Sequence, residues 1–342
     1  MRASTATTLA VVCVFSALSL THASAQQDVT PGIGVHKIRS NVFMLVGDGA
    51  NVTVQVEPSA STDEHDSIYG GDRGVLVVDT GNASRGEQLL TAIRQLSKGP
   101  LRYIVNTSAD ADHAGGNPLL SKAGAVVQSA QGGGSANAGR MPLLLIAHEN
   151  VLARMSAKTG HVSPTPVDAW PTDTFLTTKE LFFNGESIQI LHQPSAHTDG
   201  DSIVYLRRSD VISAGEIFST VSFPKIDRTA GGRLQGVLDG LIRILDLAIP
   251  GEKEEAGTMI VPGHGRVCDE ADVEFYREVV TIVRDRVQAL VTKGATRQQV
   301  LAAHPALEFE RRYSTPEWTT EMFVGAVDDD IRSTSPAGAT RQ

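Results

Sequence analysis

The stretch GVLVVDTG at residues 74–81 constrains this chain more than any other. Its apolar run is unbroken and closes on Asp-Thr-Gly. A strand of that kind has no face for solvent, so it needs packing layers on both sides. The next stretch, SRGEQLLTAIRQLS, places Leu89, Leu90, Ile93 and Leu96 on one helical face. RYIVNT then reads as a second buried strand. Strand, helix, strand in this order predicts a parallel pair inside an α/β fold. The second strand delivers the chain into NTSADADHAGGN at 106–117. Ligand sites of α/β folds favour that position, just past the carboxyl end of a strand.

Upstream, VHKIRS, VFMLVG and NVTVQVE read as short strands, and the polar segment 58–73 as a loop between strands. Downstream, AVVQSA at 125–130 reads as a strand, followed by the glycine-rich QGGGSANAGR, a lid over a site or a plain connector. LFFNGESIQIL carries a central Asn-Gly, the strongest short hairpin signal. SIVYL and VISAG continue the strand pattern. The last third turns helical, through QGVLDGLIRILDLAI, ADVEFYREVVTIVRDRVQALVTKG, TRQQVLAAH and a final helix near 316–332. No tandem repeat of solenoid length is present.

The first 25 residues carry one charge, Arg2, an apolar stretch from Leu9 to Leu20, and the small residues Ala23-Ser24-Ala25. This pattern predicts a secretory signal cleaved after Ala25 and a periplasmic or secreted protein. The expected organisation is then a signal at 1–25, a flexible segment at 26–34, one domain at 35–332, and a disordered tail at 333–342. The chain has 30 Lys and Arg against 39 Asp and Glu, with no basic tract, which argues against nucleic acid and anionic membrane surfaces as partners. Cys13 leaves with the signal, so Cys268 has no partner for an intrachain disulfide.

Four segments end apolar runs with a histidine or an acid: SADADH at 108–113, SAHTDGDS at 195–202, SAGEIF at 213–218 and VPGHG at 261–265. A divalent transition metal takes His, Asp, Glu or Cys ligands that converge from such loops. Alone each segment is weak; four of them, each at a strand end, point to a metal centre.

With these segments, and with VDTG and HAGGN in support, the chain resembles the metallo-β-lactamase-fold hydrolases over roughly residues 35–270. That resemblance implies an αββα sandwich of α/β class, with metal at the edge between two mixed sheets. The signature loop of the family is His-x-His-x-Asp-His. Asp112 and His113 match its end, His197 the later histidine, Glu216 the usual bridging aspartate, and His264 the final histidine. Ser108 and Asp110 stand where the family has its two leading histidines. The resemblance therefore implies that the second metal site, Asp112, His113 and His264, is kept, while the first retains only His197 unchanged. Asp110 remains a possible ligand, and Ser108 is a poor one.

What this implies chemically is an exported metal-dependent hydrolase of a small molecule, with one or two ions. Zn²⁺ is the expected metal. Mn²⁺ or Mg²⁺ is the alternative, because a carboxylate-rich first site is harder. Asp112 or Asp110 would orient water or take its proton, and His197, when not a ligand, would donate a proton or stabilise an oxyanion. Lactam, thioester, lactone or ester, and phosphoester bonds are all open. The loss of two histidines motivates a second class of function, a degenerate member that binds a small molecule without turning it over.

The remaining polar residues have plainer readings. Asp79 is either an acceptor that orients a ligating histidine or a turn carboxylate. Asp199 and Asp201 tie down the His197 loop. His148 fixes a strand end, His192 packs or caps, and Cys268 is a buried inert thiol; His36, His65, His161 and His304 are expected at the surface.

Overall fold

The computed structural model describes residues 32–39, 41–58, 73–130, 142–157, 165–251 and 257–334. The loop expected at 58–73 and the QGGGSANAGR segment fall almost wholly outside them, as do the expected signal segment and nearly all of the expected tail.

Two sheets form the centre. The first has seven strands in sequential order: β1 (Gly34–Lys37), β2 (Val42–Val46), β3 (Val52–Gln55), β4 (Val75–Val78), β5 (Leu101–Val105), β6 (Leu144–His148) and β7 (Asp173–Phe175). β1 to β4 pair antiparallel and β4 to β7 parallel. The switch falls at β4, where the chain leaves the hairpin meander for α1 (Gly86–Leu96) and returns as β5. The second sheet has five strands, β8 (Thr178–Phe183), β9 (Glu186–His192), β10 (Ser202–Leu206), β11 (Val211–Ser213) and β12 (Met259–Val261), in reverse spatial order, with only β11 and β12 parallel.

The period of two in each strand sets the layers. In β4, Leu76 and Val78 face the second sheet, among Val105, Ile188, Ile190 and Val204. Val75 and Val77 face outward onto Leu89, Ala92 and Ile93 of α1. In β10, Val204 and Leu206 face inward, while Ile203 and Tyr205 pack on the outer helices α5 (Leu234–Leu247) and α6 (Glu270–Thr292). The result is helix, sheet, sheet, helix, the αββα sandwich that the resemblance implied.

The hairpin at Asn-Gly forms as read: Asn184 and Gly185 both have positive φ, at 51° and 81°. That is the left-handed pair a two-residue turn needs. One strand is corrected. AVVQSA is the end of α3 (Asn117–Ala130), which starts with Pro118 at a first-turn position and runs through the β-branched pair. A helix already nucleated upstream propagates at small cost per residue, so β propensity loses to continuity. The strand expected there is supplied instead by β6. A short helix at Leu307–Tyr313 was not foreseen either. Among the described residues, no helix is long and apolar enough to cross a membrane.

Candidate metal centre

The strand ends of both sheets meet at one edge, and four hydrogen bonds join them there, two between backbones and two from a side-chain amide. Ser202 N–H donates to Thr107 O at 3.0 Å, and Asn51 N–H to Gly263 O at 2.7 Å. Asn51 Nδ2 donates to Pro262 O at 2.9 Å and to Gly265 O at 3.0 Å. An asparagine of the first sheet thus brackets the His264 loop of the second. Gly263 is required at that crossing: a Cβ there would stand 2.6 Å from Gly215 O. Close approach of these two backbones brings Glu216 and His264 side by side.

The structure brings Asp112, His113 and His264 together. One ligand atom from each lies within 4.8 Å of the other two. His113 comes from a single helical turn, α2 (Ala111–Ala114), directly after β5, and is wholly buried. Its Nδ1 is 2.8 Å from Asp79 Oδ2, and its Nε2 is 3.0 Å from Glu216 Oε2. Asp79, at φ 62°, also accepts from Thr107 N–H at 2.8 Å and from Thr107 Oγ1 at 2.6 Å. Between the two readings of Asp79, the geometry is that of an acceptor that orients a histidine. His264 Nε2 lies 3.1 Å from Glu216 Oε2 and 3.3 Å from Asp112 Oδ2, yet meets neither in hydrogen-bond geometry. This buried imidazole nitrogen lies between two carboxylates without a hydrogen bond to either, a position at which it could serve as a metal ligand once deprotonated.

The charges are tightly coupled. Burial works against the charge on His113, but Asp79 and Glu216 hold its pKa well above the ordinary histidine range. Burial likewise opposes the charge on His264, and Asp112 and Glu216 raise its pKa. Burial would raise Glu216; the bond of His113 and the nearness and charge of both histidines bring it well below the usual carboxylate range. Asp112 is brought down to about 2, against burial, by His264 and then by the charge of His113.

The other predicted residues sit beside this triad. Asp110 Oδ2 is 3.6 Å from His197 Nε2, and a third of the Asp110 side chain remains exposed. His197 Nδ1 is 3.7 Å from Asp201 Oδ1, beyond hydrogen-bond reach, and has no other partner. Burial opposes its charge too, but Asp201, Asp110 and Glu216 raise its pKa to about 9. Asp201 accepts from Thr198 N–H at 2.7 Å and Thr198 Oγ1 at 2.9 Å, so it does tie the loop down. Asp199 bonds outward, to Arg154 at 2.7 Å. Ser108 is buried and accepts from Asp110 N–H at 3.3 Å, a bond within its own loop.

His148 and His192 stand apart from the centre and pair with each other, rings stacked at 3.5 Å and 10°. His148 accepts from Asn150 N–H and faces Leu176 O, while His192 faces Asp199 O at 2.8 Å. Cys268 is buried, with burial raising its thiol to about 12. Two residues of the centre escaped sequence reasoning. Thr107 carries no ligand chemistry of its own. Lys225, whose Nζ is 2.8 Å from Glu216 Oε1, sits in SFPKID without any neighbouring ligand pattern.

Comparison with known proteins bears on the fold. The inverting sec-alkylsulfatase Pisa1 from Pseudomonas sp. superposes with a TM-score of 0.56 at 14% identity, over 90% of this chain and 52% of that one. The chain thus spans about half the length of that enzyme. DIM-1 metallo-beta-lactamase aligns at 16% identity over 73% of this chain and 98% of its own, with a TM-score of 0.49. A metallo-beta-lactamase from Pontibacter korlensis aligns at 19% identity over 73% and 99%, with a TM-score of 0.49. At such identities the likeness speaks to fold alone. No curated protein matches the sequence. The model of the metallo-beta-lactamase superfamily matches residues 66–264, more than half of the chain, and the chain belongs to that superfamily.

Proposed function

We propose that the protein is a metal-dependent hydrolase that acts on a small molecule with water as nucleophile. The observation that carries this reading is the triad of Asp112, His113 and His264 around a shared centre, with Asp79 behind His113. The donor set fits a divalent ion: two imidazoles and a carboxylate, with Nδ1 of His113 engaged by Asp79 so that Nε2 faces the centre. Glu216 Oε2 lies against both histidine nitrogens. Zn²⁺ suits two nitrogens and one oxygen best; Mn²⁺ and Mg²⁺ are weaker matches. Bound there, a divalent ion supplies Lewis acidity and brings the pKa of water toward neutrality.

The chain's own residues do the rest. Asp110, the most open carboxylate of the centre, is placed to take the proton from attacking water. Asp201 and Asp110 favour the charged form of His197, which faces Asp110, and from there it could steady a developing oxyanion or protonate the leaving group. Asp79 and Thr107 hold the imidazole of His113 in orientation.

The bond that is cut is a lactam, thioester, lactone or ester, or phosphoester. The N-terminal signal pattern supports export of the enzyme, and the first residue of the mature secreted chain, expected to be Gln26, checks it. Metal analysis of the purified protein, followed by a chromogenic panel of the four bond types, tests the main reading. About one equivalent of metal, and hydrolysis abolished by chelation, is the expected result. Metal without turnover on the whole panel would favour the degenerate binder.

A further inference from the structure

The triad is drawn from both sheets. Asp112 and His113 follow β5 of the first, and His264 follows β12 of the second. The chain between them is too long to set their distance. That distance depends on contacts made where the two sheet edges cross.

Two adjacent buried residues just before β3, Ala50 and Asn51, make such contacts in both directions. Ala50 N–H donates to Asp112 O at 3.1 Å, and Asn51 N–H to Gly263 O at 2.7 Å. The Asn51 side-chain amide donates to Pro262 O at 2.9 Å and to Gly265 O at 3.0 Å. One short segment therefore holds the backbone of Asp112 on one side and the backbone flanking His264 on the other.

We propose that Asn51 is a positioning residue of the metal centre, which sets His264 at its distance from Asp112 and His113 before an ion arrives. The inference rests on the proposed metal-hydrolase function and goes beyond it by naming a residue outside the ligand set on which metal affinity depends. Three observations carry it. First, the side chain matches its task. Both acceptors are carbonyls, and a primary amide offers two N–H donors, one for each. Second, the clamp spans the ligand, since residues 262 and 265 lie on either side of His264. Gly265 stands at φ 106°, a conformation that a loop of this kind keeps only when its neighbours hold it. Third, the bonds from the second sheet do a different job. Gly263 N–H donates to Phe218 O at 2.9 Å, and Thr220 N–H to His264 O at 3.1 Å. They tie the loop to the segment that carries Glu216. Asn51 ties it to the sheet that carries Asp112 and His113.

A triad already at ligand spacing loses little loop freedom when it takes an ion. Without the Asn51 amide, the loop of His264 can drift from Asp112, and binding has to draw the two together. Asn51→Ala should therefore weaken metal binding about 10- to 100-fold, as the loss of an outer partner of a metal ligand usually does.

Competition with a chromophoric chelator for Zn²⁺, with thermal melts of the metal-free proteins alongside, tests this. Asn41→Ala is the control. Asn41 is another buried asparagine of the first sheet, at the opposite end of the β2–β3 pair, and its Nδ2 donates to Val56 O at 2.9 Å. Both variants are expected to melt below the wild type. Asn51→Ala is expected to bind Zn²⁺ at least about tenfold more weakly, and Asn41→Ala to stay within about twofold of wild type. Wild-type affinity in Asn51→Ala, or equal losses in the two variants, would overturn the proposal while leaving the metal-hydrolase reading intact. No binding by the wild type would sink that reading, and this proposal with it. Should Asn51→Ala fail to fold, Asn51→Ser, which keeps one shorter donor, is judged by the same limits.

Discussion

Asp79 Oδ2 and His113 Nδ1 are 2.8 Å apart, both wholly or almost wholly buried, and the aspartate stands on left-handed backbone at φ 62°. The pair joins the end of β4 to the turn after β5. It fixes which nitrogen of His113 faces the centre. Asp79→Asn should therefore lower metal affinity by about 10- to 100-fold, the usual effect of removing such an outer partner. Competition with a chromophoric chelator measures it. Unchanged affinity would show that His113 does not need Asp79 to act as a ligand.

His264 and His192 offer a paired comparison. His264→Ala removes a triad member and should abolish tight metal binding. His192→Ala should leave metal affinity as it is and cost about 1–2 kcal/mol of stability through the lost stack on His148 and the lost bond to Asp199 O. Urea unfolding and metal titration of both variants separate the effects. Equal losses of metal affinity would place the ligand elsewhere.

The metal-free protein should be least stable on the alkaline side. His197, at about 9, and His113 and His264, both raised, hold protons that the unfolded chain gives up near 6.5. Between those values the folded state binds more protons, so stability is full below about pH 6.5 and falls as pH rises toward 9. For His197 alone the loss is on the order of 3 kcal/mol. Metal uptake displaces protons from the triad, so affinity should rise over the same range. Thermal melts of the metal-free protein from pH 6 to 9 give the first slope, and titrations in two buffers of different ionisation enthalpy give the second. A flat melting temperature would contradict the charge assignment.

His148 acts in the opposite sense. Burial, then the neighbouring His192, lowers its pKa, and its Nδ1 accepts from Asn150 N–H in the neutral form. Its contribution is present above about 6.5 and is lost as pH falls through the folded value. His148→Asn should flatten the acid limb of the stability curve below pH 6 while leaving metal affinity unchanged.

Gly263→Ala should disturb the centre without touching a ligand. Its Cβ would meet Gly215 O at 2.6 Å, backbone against backbone, with Glu216 Oε2 at 3.1 Å. A cost of about 1–3 kcal/mol is expected, with weaker metal binding because the loops of Glu216 and His264 must separate. A variant with wild-type melting and wild-type affinity would mean that the crossing relaxes freely.

Local chemistry made much of this protein legible from its sequence. The unbroken apolar run before Asp79, the amphipathic helix after it and the Asn184-Gly185 turn each depend on residues a few places apart. Period and turn chemistry therefore suffice to read them. Asp112, His113 and His264, which the fold brings together, stood out because each follows a strand-type run and carries a side chain of ligand type. Tertiary structure decided what depends on distance along the chain. Residues 125–130 became helix because a helix begun at Asn117 carried through them. The stack of His148 on His192 joins two sheets, and no pattern near either residue announces it. Lys225 has nothing beside it in the sequence to mark it. It meets Glu216, nine positions earlier, only in the folded chain, where a buried carboxylate is costly without a partner. Side-chain type can be read from the sequence; which lone pair it finally faces is settled by packing.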